Sequence, residues 1–241
     1  MSYYNFMTSG SNASLNRTCS FDPDTICGLL AWYDASDITS ITKDCSNFVS
    51  TWADKKGCND LTQCTGADQP QWIDASRNCN AIIRFDGSTD YIFSSTPNDA
   101  APNTIFMALK LPTNSGSARR IFSKGAAGHQ ETFQKETTAQ NYALIMGTSS
   151  SGSGSCLDNT WHEVFMLFES SGNGVLEINE TCIVNASLTA AENLNGISIG
   201  GTYTGTNESD IDVGEILVYD SEISGTDKTD ILDYLQNKWS V

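Results

Sequence analysis

Short apolar runs separated by polar turns dominate the chain, and they predict strands. Leu29–Asp34 opens the series. From Ala81 the runs recur regularly, at 81–85, 91–94, 104–111, 120–123, 142–146, 161–168, 174–178, 196–200 and 211–219. Asp86-Gly87, Ser171-Gly-Asn-Gly174 and Gly200-Gly201 punctuate them with turn signals. Many short strands at even spacing predict a two-layered sandwich. The period changes once. After Thr226, a candidate N-cap, Ile231, Leu232, Leu235 and Trp239 recur at helical spacing. One amphipathic helix therefore closes the chain, with Ile216, Val218, Leu232 and Leu235 expected in the core.

Elsewhere the pattern is weak. Residues 1–25 are polar and aperiodic, and are expected to form an N-terminal arm. Residues 36–80 carry little periodicity and four cysteines, so an irregular insertion braced by disulfides is expected there. Gly147–Ser155 is a flexible loop by composition. With no internal repeat and no long linker, residues 26–241 are expected to be one domain.

Composition narrows the class. Of 241 residues, 39% are apolar and only 17% charged, which suits a turn-rich β protein with a polar surface. The net charge of −16 repels phosphate backbones and anionic lipid, so neither nucleic-acid binding nor membrane insertion is expected. No apolar run is long enough to span a bilayer. No cofactor is expected, although the acidic excess leaves room for calcium.

The even set of eight cysteines, Cys19, Cys27, Cys45, Cys58, Cys64, Cys79, Cys156 and Cys182, is expected to form disulfides. Cys58 and Cys64 close a small loop, Cys156 and Cys182 flank a predicted hairpin, and Cys19 with Cys27 is a weaker pairing. No Cys-x2-Cys pair occurs and only two histidines are present, which argues against zinc. The first residues carry no basic or apolar signal segment. Disulfides behind a leaderless Met1 point to a virion surface or an extracellular location. Five Asn-x-Ser/Thr sequons, at Asn12, Asn16, Asn179, Asn185 and Asn207, imply surface exposure.

Four motifs in order carry a family resemblance: Leu30-Ala-Trp-Tyr-Asp-Ala-Ser-Asp37, Ser50-Thr-Trp-Ala-Asp-Lys-Lys-Gly57, Gln69-Pro-Gln-Trp72 and Arg84-Phe-Asp-Gly-Ser-Thr-Asp-Tyr91. With the ending Gly214–Asp220 and its helix, they resemble the laminin-G-like branch of the concanavalin A-like lectin/glucanase superfamily. That branch is common in viral, phage and bacterial surface proteins. The resemblance implies an all-β, two-sheet antiparallel jelly-roll sandwich with one short C-terminal helix. The cysteines and the N-terminal arm depart from the family pattern. A chain that starts at Met and stops after the helix is expected to act as a module by itself.

The family includes glycan hydrolases, which carry Glu-x-Asp-x-x-Glu on one strand, where alternation sets carboxylates on one face. Asp210-Ile-Asp-Val-Gly-Glu215 has this spacing with Asp in first place, but Glu215 falls in a framework strand. No enzymatic activity is therefore expected. Asp34, Asp37, Asp54, Asp86 and Asp90 are better explained by turn chemistry than by calcium. Trp32 and Trp52 are expected in the core, whereas Trp72 and Tyr91 are the candidate sugar-stacking residues. The expected function is a non-catalytic virion surface or minor capsid decoration protein. Its partners would be other virion or surface proteins, and host glycans. A secreted or cell-surface lectin is the alternative, and a glycan hydrolase is disfavoured.

Overall fold

The computed structural model of the protein describes residues 21–113, 117–125, 130–137, 140–189 and 193–241. Most of the expected N-terminal arm lies outside these residues. The strands are β1 (Leu29–Asp34), β2 (Ile41–Lys43), β3 (Val49–Trp52), β4 (Leu61–Thr62), β5 (Gln71–Arg77), β6 (Asn80–Arg84), β7 (Ile92–Ser94), β8 (Asn103–Lys110) and β9 (Arg119–Ser123). They continue as β10 (Gln130–Lys135), β11 (Asn141–Gly147), β12 (Ser149–Ser155), β13 (Trp161–Phe168), β14 (Asn173–Ile178), β15 (Thr181–Ser187), β16 (Ile197–Ile199) and β17 (Asp212–Tyr219). One helix, α1 (Gly225–Trp239), follows.

Two antiparallel sheets form a sandwich, as expected. The first runs β15-β14-β13-β8-β17-β6-β5, with β1 also pairing β17. The second runs β12-β11-β10-β9-β16-β7-β4-β3-β2. Between them lies one apolar core, with Ile105, Met107, Val164, Ile216 and Val218 from the first sheet. Trp52, Leu61, Ile92, Phe133 and Leu144 face them from the second.

The first sheet is apolar on both faces because α1 covers its outer side. Phe106, Phe165, Leu217 and Tyr219 point outward and meet Ile231, Leu232, Leu235 and Trp239 of the helix. Fully burying such a side chain stabilises by about 1.5–3 kcal/mol before entropy is charged against it. Gly214 makes the closest contact possible: a Cβ there would lie 2.7 Å from the Trp239 ring. The helix begins two residues earlier than the pattern predicts. Ser224 stands at the N-cap position rather than Thr226, and it makes no side-chain capping bond.

Three expectations need correction. Residues 36–80 are no irregular insertion, since they contain β2 to β5. These strands are too short, or too exposed at a sheet edge, to print clear alternation. Gly147–Ser155 is no flexible loop, since β12 occupies most of it and pairs with β11. Small residues are needed there, because a Cβ at Gly152 would lie 2.6 Å from the Ala143 Cβ.

The disulfide framework also falls. Cys27, Cys45, Cys58, Cys64, Cys79 and Cys156 are all free thiols. Cys58 and Cys64 flank β4 in the chain and are both exposed free thiols, so the small loop expected between them is not closed by a bond. Cys45 and Cys79 sit exposed in the turns after β2 and β5. The Cys156 thiol turns to the His162 ring, 3.6 Å away, and not to another sulfur. Cys19 and the Cys182 side chain lie outside the described residues. Among the described residues, no helix is long and apolar enough to cross a membrane.

Candidate functional site

Among the described residues no helix covers the outer face of the second sheet, and its residue types differ from the first. Cross-strand partners share a face. The register therefore sets Thr42, Thr51, Thr62, Phe93, Ser198, Ser123 and Thr132 in one row across the outer side. Hydroxyl residues fill every position but one. At that one position Phe93 stacks with Tyr91, their ring centroids 6.1 Å apart and their planes 18° apart. The loop after β16 folds over part of the row, where the Ser123 and Ser198 hydroxyls both donate to the Gly201 carbonyl.

This loop and the turn before β7 enclose a cleft of about 270 Å³. Ser88, Thr89 and Tyr91 line one wall, Thr204, Gly205 and Glu208 the other, and Asp68 one end. Gly205 is a positional requirement. It has φ +66°, and a Cβ there would lie 2.6 Å from the Tyr91 ring. The turn is built by the Asp86 side chain, whose Oδ1 accepts from the backbone N–H groups of Ser88, Thr89 and Asp90. That is the expected turn chemistry at Asp86-Gly87. Further bonds tie the turn to the strip beside it, with Thr89 donating to Ala67 and the Tyr91 N–H to the Asp68 carbonyl.

The two acids of the turn are driven apart. Burial pushes Asp86 up, but its three backbone donors outweigh this and hold it below the usual carboxylate range. Asp90 is pushed up to about 7, by burial first and then by the Asp86 charge, with Asp68 adding to it. Asp68 itself is half-buried and lines the cleft. A second depression, about 320 Å³ over Asp37, Thr39 and Lys55, has no aromatic residue in its lining.

The other candidate, Trp72, lies on β5 of the first sheet and does not line this cleft. Its indole N–H donates to the Ala35 carbonyl at 3.1 Å, and the Lys43 ammonium lies 4.9 Å over its ring. The structure thus does not bring Trp72 and Tyr91 into one site. Trp52 is fully buried, as expected. Trp32 is half-buried under Lys55, 4.1 Å from its ring.

Glu215 is locked into the fold. Its Oε1 accepts from Trp32 Nε1 and Tyr234 OH, each at 2.7 Å. Its Oε2 accepts from Trp239 Nε1 and Lys238 Nζ, each at 2.8 Å. Four donors meet four acceptor positions, a set that only the ionised carboxylate satisfies. Burial still pushes this carboxyl up, with the Lys238 ammonium opposing and the Asp34 charge adding to the rise. Asp212 holds Arg84 in a two-pronged pair at 2.7 and 3.0 Å, and Asp210 accepts from Thr113. The acids of the hydrolase-like spacing are therefore taken up in framework contacts.

The remaining acids considered for calcium are also engaged. Asp34 accepts from Ser36 and Lys238, Asp37 caps Thr39, and Asp54 accepts from the Trp32 and Lys56 backbones. Among the described residues, no group of three or more His, Cys, Asp or Glu is arranged to hold a metal ion.

No protein-family model and no curated protein sequence matches the chain. Solved structures do match its fold. Trypanosoma rangeli sialidase in complex with sialic acid superposes with a TM-score of 0.65 at 12% identity, over 88% of this chain and 33% of that one. The binding domain of Paraclostridial Mosquitocidal Protein 1 superposes with a TM-score of 0.61 at 13% identity, over 86% of this chain and 52% of that one. The chain thus spans about a third of the length of the sialidase it matches. At these identities the likeness is one of fold, a broad jelly-roll, lectin-like sandwich, and the finer laminin-G-like assignment is not carried by it. It also corrects the expectation of a non-enzymatic protein, because solved structures with this fold include an enzyme.

Proposed function

We propose that this protein is a carbohydrate-binding β-sandwich and that the Tyr91 cleft receives the glycan. The observation carrying this is the stacked Tyr91–Phe93 pair beside a polar cleft of hydroxyls and carboxylates. An aromatic face takes the C–H side of a sugar ring, and the surrounding oxygens take its hydroxyls. The fold likeness supports the reading, since one similar structure holds sialic acid and another is a toxin's binding domain. Trp72 has no part in it. An extracellular or virion surface location, with surface proteins and glycans as partners, belongs to the same proposal. Its support is the exposure of the sequon residues Asn179, Asn185 and Asn207.

A glycan array tests this. Binding that falls at least about tenfold in Tyr91→Ala, with the melting temperature kept, is the expected result. An array on which the wild type binds nothing, or on which Tyr91→Ala binds equally well, would overturn it.

Glycan hydrolysis is a second reading, favoured by the opposed pKa shifts of Asp86 and Asp90 next to the cleft. Polysaccharide turnover that disappears in Asp90→Asn would establish it. Turnover that persists in that variant would remove Asp90 from the chemistry.

A further inference from the structure

We infer that the Tyr91 cleft selects neutral, hydroxyl-rich glycans and discriminates against acidic ones. The inference rests on the carbohydrate-binding reading above and adds the substrate class. The cleft and its stacked aromatic pair define the site, and its charges decide which sugars enter.

Among the described residues lining the cleft, the charged ones are Asp68 and Glu208, and both are acidic. Asp86 stands immediately behind the Ser88–Thr89 wall with its carboxylate stabilised in ionised form by three backbone donors. Asp90 is buried between the lining residues Thr89 and Tyr91. Arg119 and Arg120 are both tied to the opposite loop, the Arg119 guanidinium donating to the Glu208 main-chain carbonyl at 3.0 Å and the Arg120 backbone N–H to the Asn207 carbonyl at 2.8 Å, and neither is among the described residues lining the cleft. The upward push on Asp90 from Asp86 and Asp68 reports the same negative field.

A sugar carboxylate or sulfate entering here meets like charge, with no cation among the described lining residues to pair with. Desolvating an unpaired anion next to carboxylates is costly. A neutral sugar meets the opposite situation. Its hydroxyls donate to Asp68 and exchange bonds with Ser88, Thr89 and Thr204, while a ring face lies on Tyr91. Carboxylate acceptors make stronger hydrogen bonds to hydroxyl donors than neutral oxygens do.

The test pairs neutral oligosaccharides with their sialylated and sulfated counterparts, so each pair differs only in charge. Binding to the full chain is measured by titration calorimetry at low and at high salt, for wild type and for the isosteric double variant Asp68→Asn/Glu208→Gln. The expected result is binding of neutral members at least about tenfold tighter than of their acidic counterparts. High salt and the double variant should each narrow that gap. Equal or tighter binding of the acidic members would overturn the inference while leaving the carbohydrate reading intact. A gap unmoved in the double variant would also overturn it, since the discrimination would then lie elsewhere. Binding of no member, neutral or acidic, would overturn the carbohydrate reading and this inference with it.

Discussion

Glu215 shows how little a carboxylate's place in a sequence motif says about its chemistry. With four donors around it and no exposure, its role is to join β17, β1 and α1. Replacing Glu215 with Gln keeps the shape but puts an NH2 group against donors and leaves Lys238 without one of its counter-charges. We expect a loss of about 2–4 kcal/mol, read from urea denaturation at pH 7. Asp90 predicts the pH dependence. Its folded pKa of about 7 lies above the unfolded value, so the unfolded state releases this proton first. Its contribution to stability is fully present below about pH 4 and is lost as pH rises through about 7. Asp90→Asn, which keeps an acceptor for the Asp86 N–H, should therefore stabilise the protein at pH 8 relative to wild type. At pH 4 it should change stability little, with about 4 kcal/mol as the upper bound on the difference between the two pH values. A wild-type minus variant stability difference that does not vary with pH would rule this out. At the same scale, Tyr91 was legible as an aromatic beside a turn. Asp68, Thr204, Gly205 and Glu208 were not singled out, although Gly200-Gly201 and the alternating threonines at 202, 204 and 206 marked a polar turn there.

At the scale of elements, α1 and β17 form one unit. The helical period was legible because Ile231, Leu232, Leu235 and Trp239 face one surface, and that surface is the outer side of the first sheet. Gly214 was not legible as a packing residue, because its role is to leave room for a ring that follows 25 residues later in the chain. Gly214→Ala should destabilise by about 1–3 kcal/mol through overpacking. Trp239→Ala should cost more, about 3–5 kcal/mol, since it leaves a cavity and removes a donor to Glu215. Thermal denaturation of both variants gives the order, and a Gly214→Ala melting temperature equal to wild type would refute the contact. β12 is the reverse case: seven Ser and Gly residues match a linker by composition, yet the strand forms because its small residues let the backbone approach β11.

For the whole molecule, the thiols bear on where the protein works. Five described cysteines are exposed and one is half-buried. Native alkylation followed by mass spectrometry should label Cys27, Cys45, Cys58, Cys64 and Cys79 quickly. Cys156 should label slowly, since burial pushes its thiol up and lowers its thiolate fraction. Protection of Cys58 and Cys64 that reduction abolishes would restore the pairing predicted from their spacing. The sandwich itself follows from the two sheets burying one common core, and its charge follows from 29 acidic against 13 basic residues. That surplus is spread along the chain, and only folding concentrates some of it at the Tyr91 cleft.

The amino-acid sequence by itself determined the all-β class, the positions of β1, β6 to β9, β11, β13, β14, β16 and β17, the closing helix and the core character of Ile216, Val218, Leu232 and Leu235, while β5, β10, β12 and β15 were not legible in it. These are local properties: period, β-branching and turn residues act over a few positions, so they print in the chain. Tertiary structure alone decided the strand order, the free state of the described thiols and the capture of Glu215. It alone placed Tyr91, Asp68 and Glu208 in one cleft and left Trp72 out. Those outcomes depend on which segments meet in space, and no local pattern encodes a meeting between residues far apart in the chain.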